Sequence, residues 1–452
     1  MIQPEEALNH VNPYSKPSDL RITDMRFTDI LGAPFHSSLI KIYTNQGLVG
    51  LGEVRDIADK QYALMLKSRI LGENPCNVDK IFRRIKQFGG FARQGGGVSG
   101  IEVALWDLAG KAYGVPVYQM LGGKFRDQVR LYCDTDVGGK INGKIMGEAL
   151  KKRMERGFTF LKMDLGISLL YGEEGTISAP LGFIEKLKDA DIGLPRVPKT
   201  MEERVERNRA YDVLNIPHPL TGVQLTEKGL DVLEQYMADV RSIIGDQVPL
   251  AIDHLGHINV ESVIRLARRL EKYHPAWLED PIPWQYTDQY VRLSNSTAVP
   301  ICTGEDIYLK ENFRPLLEKR GVSVIHPDIL TTGGILETKK IGDMAYEYGV
   351  AMAIHMAEGP VACMAAAHVA VATENFLALE FHAADVPWWN DIVVGLPNIV
   401  QNGFITVPDK PGLGIDDFDD EVLKEHIHPD VPGLWEPTDE WNGNLSHDRI
   451  WS

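Results

Sequence analysis

Long apolar runs are absent from this 452-residue sequence. No window approaches the roughly 18 consecutive apolar residues that a membrane-spanning helix needs. The first ten residues, MIQPEEALNH, have neither the basic start nor the apolar stretch of a secretory signal. We therefore expect a protein that does not insert into a membrane and that works in the cytoplasm.

Cysteine is also scarce, and its few positions are scattered. The four cysteines have no short paired spacing: Cys76, Cys133, Cys302 and Cys363. Such a pattern in a long chain predicts buried, reduced thiols rather than disulfides or zinc ligands. A reducing compartment fits this expectation.

An excess of positive charge is the third absence. The chain has 47 lysines and arginines against 63 aspartates and glutamates, a formal net charge of -16. A nucleic-acid partner would need clustered positive surface, so we expect none. An anionic substrate would have to be attracted by local cations or by a metal ion.

The chain has enough hydrophobic residues, 44%, for a large core, and its N-terminal part predicts a small α+β domain. Two strand-like runs, LRITDMRFTDI and SSLIKIYTNQGLVGLGEV, are followed by a helical stripe that ends near Gly114. The stripe consists of Ile101, Ala104, Leu105, Leu108 and Ala109. We assign residues 1–126 to this domain.

From about residue 127 the sequence alternates short apolar runs with amphipathic helical patterns, which is typical of parallel βα units. The eight runs are VRLYCDTD (129–136), FTFLKMDLG (158–166), PLAIDHLG (249–256), AWLEDPI (276–282), VPICTGE (299–305), VSVIHPDI (322–329), VAMAIHMA (350–357) and FLALEFH (376–382). Eight strands with helical crossovers predict an α/β fold, a closed (β/α)₈ TIM-like barrel over residues 127–385. A long segment at about 165–225 interrupts it, and this insertion could be a lid or a subunit contact.

Ionisable residues stand near the C-terminal ends of six of these runs, at intervals of roughly 25 residues, about one βα unit. They are Asp253, Glu279, Glu305, Asp328, His355 and Glu380. In a (β/α)₈ barrel the C-terminal strand ends share one face, where active sites lie. So many ionisable groups on one face would repel one another without a cation.

The first three of these residues indicate a metal site. Asp253, Glu279 and Glu305 offer three hard oxygen ligands without sulfur, which suits Mg²⁺ or Mn²⁺ better than zinc. Each could instead be a helix cap or an ion-pair partner, but their recurrence on three consecutive strands favours a shared metal.

The next two residues indicate an acid–base dyad. Asp328 and His355 fall on neighbouring strands, so the carboxylate can hold one imidazole nitrogen and make the other more basic. We therefore predict His355 as the general base or acid. We interpret His326, two residues before Asp328, as structural.

The runs AIDHLGH, WLEDPIPW, CTGED, HPDILTTGGILE and AIHMAEGP resemble the successive strand ends of the mandelate racemase/muconate lactonizing enzyme branch of the enolase superfamily, and the sugar-acid dehydratases in particular. The segment PDKPGLGI (408–415) is similar to the part of that family that returns to the N-terminal capping domain. The resemblance thus implies a capping domain completed by residues 386–452, and a symmetric homo-oligomer.

By this resemblance the three carboxylates would bind Mg²⁺, which would hold the substrate carboxylate and stabilise an enediolate. Glu380 would donate a hydrogen bond to that carboxylate. Racemase-like members often carry Lys-x-Lys on the second strand, but this sequence reads Lys162-Met163-Asp164. Lys162 could bind the carboxylate or moderate a base, and Asp164 could bind a substrate hydroxyl.

With one clear base, the sequence favours dehydration of a sugar acid to a 2-keto-3-deoxy acid. A racemase or epimerase of a hydroxy acid is one alternative, and a non-catalytic metal-binding or regulatory homologue is another. The acid for the leaving group stays open. Some relatives place a histidine at the position of Leu255, which His254 and His257 flank here. The remaining candidates are Tyr171, Glu358, Arg93 and His36.

Overall fold

The computed structural model describes residues 16–137, 142–179, 199–215, 223–253, 258–396 and 398–443. Its strands are β1 (Ile22–Ile30), β2 (Ser37–Thr44), β3 (Val49–Val54), β4 (Gln128–Cys133), β5 (Leu161–Asp164), β6 (Ile177–Ser178), β7 (Gln224–Leu225), β8 (Leu250–Asp253), β9 (Trp277–Glu279), β10 (Ile301–Thr303), β11 (Val324–Ile325), β12 (Ala351–Ile354), β13 (Phe376–Phe381), β14 (Val393–Val394), β15 (Val400–Gln401), β16 (Phe404–Thr406) and β17 (Asp417–Phe418).

The α-helices are α1 (Gln61–Leu64), α2 (Lys67–Ile70), α3 (Val78–Ile85), α4 (Gly96–Tyr113), α5 (Val117–Met120), α6 (Gly143–Glu155), α7 (Met201–Asn215), α8 (Glu227–Ile244), α9 (Val260–Leu270), α10 (Thr287–Ser294), α11 (Lys310–Glu318), α12 (Ile335–Glu347), α13 (Pro360–Ala372) and α14 (Asp420–His426). None of the helices within the described ranges is both long and apolar enough to cross a lipid bilayer.

The N-terminal part is an antiparallel sheet in the order β1-β2-β3, with α4 packed on β3. The predicted apolar stripe of α4 is buried, and the helix ends at Gly114, whose φ of 74° gives a left-handed C-cap. Two glycines on β3 allow the close approach of the helix. A Cβ on Gly52 would lie 2.3 Å from the Gly100 carbonyl oxygen, and one on Gly50 would lie 2.4 Å from that of Ala104.

Eight parallel strands form a closed barrel, as the sequence predicted. They follow the order β4, β5, β8, β9, β10, β11, β12 and β13, and pairing of β13 with β4 closes the ring. Each predicted apolar run coincides with one of these strands, although β4 begins one residue before its run. The strands are shorter than the runs. The ends of several runs lie beyond the strands, and these ends carry Glu305, Asp328 and His355.

The chain divides into two compact units. Unit 1 contains Met1–Cys133, Gly304–Leu317 and Ile325–Ser452, and unit 2 contains Asp134–Thr303 and Glu318–Val324. The insertion belongs to unit 2, where β6 and β7 pair as antiparallel strands and α7 lies in the chain between them. The prolines that mark the insertion in the sequence, at 195, 198, 217 and 219, lie outside the described residues, so its use as a lid stays a prediction.

Within unit 1, the segment PDKPGLGI contacts the N-terminal α+β part. The Asp107 carboxylate on α4 accepts hydrogen bonds from the backbone N–H groups of Leu413 (2.9 Å) and Leu51 (3.0 Å). Gly412 also exchanges backbone hydrogen bonds with Val115 and Val117. One buried carboxylate therefore ties the C-terminal segment to β3.

All four cysteines lie in the described residues, and none forms a disulfide. Cys133, Cys302 and Cys363 are buried, whereas Cys76 is only half-buried, so the expectation of four buried thiols was wrong for Cys76. Cys76 sits just before α3, where the chain lies near the surface.

Candidate active site

His355 and Asp328 form a hydrogen-bonded dyad in unit 1. His355 directly follows β12, Asp328 follows β11, and the two residues pair across the parallel strand ends. His355 Nδ1 lies 2.7 Å from Asp328 Oδ2, while Asp328 Oδ1 accepts the backbone N–H of Leu330 at 2.7 Å. With Nδ1–H donated to the carboxylate, Nε2 is the nitrogen available for proton transfer.

Arg55, which the sequence analysis did not single out, is the buried cation behind this dyad. It follows β3, and its side chain is 1% exposed. Its guanidinium contacts Asp328 (Nη1 to Oδ2, 2.6 Å), Asp56 (Nε to Oδ1, 2.7 Å), Thr331 (Nη1 to Oγ1, 3.1 Å), Glu305 (Nη2 to Oε1, 3.5 Å) and Glu358 (Nε to Oε1, 3.5 Å). No local pattern reveals this role, because all the partners except Asp56 lie about 250 to 300 residues further along the chain.

The charges of this cluster shift the pKa values of its members. Burial opposes ionisation of Asp328, but the adjacent Arg55 and His355 hold its pKa well below the usual range. Burial also opposes the imidazolium of His355, but Glu305, Glu380 and Asp328 outweigh it and raise the pKa of His355. The dyad is therefore set up as an anionic carboxylate beside an imidazole that accepts a proton readily.

Three acidic or basic side chains surround the Nε2 side of His355. Glu305 Oε2 lies 3.2 Å and Glu380 Oε2 lies 3.8 Å from Nε2. Glu380 is fully buried on β13 and accepts a hydrogen bond from the Tyr132 hydroxyl (3.0 Å). His382 Nε2 lies 3.0 Å from the other carboxylate oxygen of Glu380. Strand alternation places His382 on the same face as Glu380, so the run FLALEFH contained a signal for it that the sequence analysis missed.

A second cluster lies in unit 2, at the ends of β5, β8 and β9. The Lys162 ammonium is 2.8 Å from Asp253 Oδ2 and also hydrogen-bonds Glu279 Oε1. Glu279 Oε2 accepts the indole N–H of Trp277 at 2.7 Å. The two carboxylates thus share one cation, the Lys162 ammonium. As hard oxygen donors they fit Mg²⁺.

Asp164, two residues after Lys162, is exposed. Burial, with a smaller contribution from the negative charge of Asp164, raises the pKa of Tyr236 to about 12. The structure therefore places Lys162 among the predicted metal ligands and Asp164 at the surface of the same strand end.

The candidates for the leaving-group acid have separate positions. Glu358 is buried with Arg55, and burial together with the nearby Asp328 raises its pKa well above the usual value. Arg93 binds Asp56 at 3.1 Å and is 40% exposed, and His36 lies 3.6 Å from Asp29. Tyr171 follows a short 3₁₀ helix in unit 2.

Three further histidines occur in or directly after the runs of the barrel strands. His326 is fully buried, with its ring 6.2 Å from that of His355. His254 and His257, together with Leu255, lie outside the described residues.

The fold places this protein in the class of (β/α)₈-barrel proteins, and the barrel carries a buried histidine–aspartate dyad beside further carboxylates. Residues 146–421 match the enolase C-terminal domain-like family, and residues 23–122 match the mandelate racemase/muconate lactonizing enzyme N-terminal domain. The chain belongs to this family of the enolase superfamily.

Relatives in this family include proteins named as sugar-acid dehydratases. The chain is 33% identical to the D-xylonate dehydratase of Haloferax volcanii over 93% of this chain and 92% of that protein. It is 28% identical to the D-galactonate dehydratase of Verminephrobacter eiseniae, over 83% and 87% of the two chains. The solved mandelate racemase/muconate lactonizing enzyme-like protein of Rubrobacter xylanophilus superposes with a TM-score of 0.74 at 30% identity, over 92% of this chain and 99% of that one.

Proposed function

We propose that this protein is a Mg²⁺-dependent sugar-acid dehydratase, a lyase that converts an aldonate or a related polyhydroxy carboxylate to a 2-keto-3-deoxy acid. The observation that carries the proposal is the His355–Asp328 dyad, in which His355 Nε2 faces Glu305 and Glu380. The names of the relatives support the same class of substrate.

In this proposal Asp253, Glu279 and Glu305 hold the metal ion. Bound Mg²⁺ would neutralise the second negative charge that a substrate carboxylate gains when its α-proton leaves. The three side chains follow consecutive strands and supply only carboxylate oxygens, and two of them already share the Lys162 ammonium. Mn²⁺ would suit the same oxygen donors.

Proton removal falls to His355. Its Nε2 takes the proton from C2, while Nδ1–H remains donated to Asp328 and Arg55 holds that carboxylate in place. The electron pair of the C2–H bond moves into the substrate carboxylate and gives an enediolate. When the enediolate collapses, the C3–O bond breaks, the hydroxyl leaves as water after gaining a proton, and the enol tautomerises to the keto acid.

Lys162 would pair with the charge of the substrate carboxylate, and Glu380, once protonated, would donate a hydrogen bond to it. Glu380 is buried and hydrogen-bonded on both oxygens, so its position is fixed before substrate arrives. Lys162 is 1% exposed and already binds carboxylate groups, and Asp164 at the exposed strand end could bind a hydroxyl further along the sugar chain.

An epimerase is the second candidate, and Lys162 is the observation that favours it. Lys162 is a buried lysine on β5, the strand on which racemase-like members carry Lys-x-Lys. The base in those members is the second lysine of that motif, and Asp164 occupies its position here, so the epimerase would need Lys162 itself to act opposite His355. The ion pairs of Lys162 with Asp253 and Glu279 argue against that role, because a base must first give up its proton.

The test is incubation of the protein with Mg²⁺ and a panel of sugar acids that includes D-xylonate and D-galactonate, in D₂O, followed by NMR. A 2-keto-3-deoxy product supports the dehydratase. Deuterium at C2 with inversion and no loss of water would favour the epimerase. Neither reaction with any sugar acid, together with no Mg²⁺ binding by calorimetry, would contradict both and leave a non-catalytic homologue.

A further inference from the structure

His382 is a second histidine beside the proposed base, and no role has yet been given to it. It follows β13 directly, and its side chain is 16% exposed, whereas that of the neighbouring Glu380 is fully buried. One ring nitrogen of His382, one of His355 and a carboxylate oxygen of Glu380 all lie within 4.8 Å of one another. The centroids of the two imidazole rings are 6.2 Å apart.

This spacing suits two proton-transfer groups that act on adjacent carbon atoms of one substrate. Hydrogen bonding to a reacting group requires heavy atoms about 2.6–3.2 Å apart. Two nitrogens less than 5 Å apart can therefore contact C2–H and the C3 oxygen of the same molecule. Phe35, which is 40% exposed, lies with the centroid of its ring 6.1 Å from that of His382.

We propose that His382 is the general acid for the leaving group, a catalytic residue distinct from His355. The inference rests on the proposed dehydratase function and fills the role that Tyr171, Glu358, Arg93 and His36 left open. Arg93 and His36 are paired with Asp56 and Asp29, and Glu358 lies with Arg55 behind the dyad. His382 is on the Nε2 side of His355, where the proton transfer takes place.

In the step itself, the C3–O bond breaks as the enediolate collapses, and its electrons leave with the oxygen. Before substrate binds, His382 Nε2 is hydrogen-bonded to Glu380 Oε1. In the reaction, His382 gives its Nε2 proton to the oxygen that leaves C3, so this oxygen departs as water. The proton taken from C2 stays on His355 until it returns to solvent or to C3 of the enol. Glu380 is then left to bind the substrate carboxylate.

The experiment compares two leaving groups in His382→Asn. A hydroxyl needs a proton to leave, whereas fluoride leaves as an anion, so a 3-deoxy-3-fluoro analogue of the aldonate bypasses the acid. We expect kcat for dehydration to fall at least about 100-fold in His382→Asn, with fluoride release within several-fold of wild type. His355→Asn should lose both reactions. Deuterium exchange at C2 should persist in His382→Asn.

An equal loss of dehydration and fluoride release would overturn the inference, because His382 would then only position Glu380. Normal dehydration by His382→Asn would overturn it as well. If wild type eliminates neither water nor fluoride, the dehydratase function fails first and the inference with it. His274→Asn, an exposed histidine with a left-handed φ of 47° that asparagine also adopts, is the matched control and should match wild type. Should His382→Asn fail to fold, the rates of dehydration and of fluoride release are compared in His382→Gln instead.

Discussion

At the scale of single residues, one buried cation organises the proposed base. Arg55 neutralises part of a cluster that contains Asp56, Asp328 and Glu358, all of them buried. A buried carboxylate left without a partner costs several kcal/mol, so removal of the cation should affect both stability and catalysis.

Arg55→Met should lower the free energy of unfolding by about 3–5 kcal/mol, because it leaves buried carboxylates unpaired. Arg55→Lys keeps the positive charge but loses the planar guanidinium, which can contact several carboxylates at once. The variant should therefore fold and show kcat at least about tenfold lower with little change in KM. Urea unfolding and steady-state kinetics measure these effects.

The control is Arg93→Lys, which changes an exposed partner of the same Asp56 and should cost less than about 1 kcal/mol. Wild-type kcat in Arg55→Lys would show that the guanidinium has no part in orienting Asp328.

Glu279→Ala should lose Mg²⁺ affinity and activity together, because it removes a proposed ligand. Isothermal titration calorimetry with MgCl₂ measures the affinity. Trp277→Phe is the control, since it removes the indole N–H that bonds to Glu279 but keeps the Glu279 carboxylate, and it should bind Mg²⁺ more tightly than Glu279→Ala. Undiminished affinity in Glu279→Ala would exclude Glu279 as a ligand.

The site could be predicted from the sequence only where its signals are local. Five of the predicted residues occur once per βα unit, at or just after the end of a strand, so the repeat itself marks them in the sequence. They are Asp253, Glu279, Asp328, His355 and Glu380. Arg55 belongs to no such series, whereas His382 did have a local signal, because it lies two residues after Glu380 on the same face of the strand end. Arg55 reaches the dyad from a loop after an antiparallel strand, and only the folded chain brings it there.

At the scale of elements, buried carboxylates cap two helices near the dyad. Glu53 accepts the backbone N–H groups of Gly359 and Ala362 at the start of α13. Glu102 on α4 accepts those of Ile335 (2.7 Å) and Leu336 (3.1 Å) at the start of α12. These caps satisfy helix N–H groups that have no partner within the helix.

The titration of Glu102 should make stability depend on pH. Burial raises its pKa to about 8, against hydrogen bonds from Leu336, Ile335 and Trp106 that lower it. Between its unfolded value of 4.5 and about 8, the folded state holds the proton that the unfolded state has lost. The stability from this group is therefore full below pH 4.5 and is lost as the pH rises through 8.

Glu102→Gln should remove this part of the dependence. Wild type should lose more unfolding free energy between pH 6 and pH 9 than the variant, as measured by urea unfolding at each pH. Parallel decreases in the two proteins would mean that Glu102 stays ionised when folded. Burial also raises the pKa of the Glu53 carboxyl, to about 7. Its contribution to the pH dependence of the unfolding free energy is the same in wild type and variant, so it cancels in the comparison.

The elements themselves were largely predictable, because each barrel strand is an apolar run whose length and composition differ from those of the helices around it. The helix α4 was predictable for the same reason, since its buried stripe ends at a glycine. The interior of the insertion was not, because its short strands β6 and β7 pair across more than forty residues and carry no periodic signal.

At the scale of the whole molecule, two facing glycines, Gly412 and Gly110, let the C-terminal segment approach α4. Gly412 has φ of 67°, and a Cβ there would lie 2.2 Å from Asp107 Oδ1. The match to the family's capping pattern predicted the return of this segment, but only the contacts with Asp107 explain why PGLG is needed.

Gly412→Ala should therefore lower the free energy of unfolding by clearly more than the roughly 1–2 kcal/mol cost of a left-handed alanine. Gly47→Ala is the matched control, because its φ is 80° and no atom lies within 4 Å of the added Cβ. Urea unfolding compares the two variants. Equal losses of unfolding free energy in the two variants would show that the Asp107 side chain moves away from the added Cβ without an energetic cost.

The central claim is that His355, held by Asp328, removes the proton beside the substrate carboxylate. The most direct measurement is NMR of a sugar acid with Mg²⁺ in D₂O, for wild type and for His355→Asn. We predict dehydration by wild type, and in the variant neither dehydration nor deuterium at C2 while Mg²⁺ still binds. Turnover by His355→Asn near the wild-type rate would contradict the account.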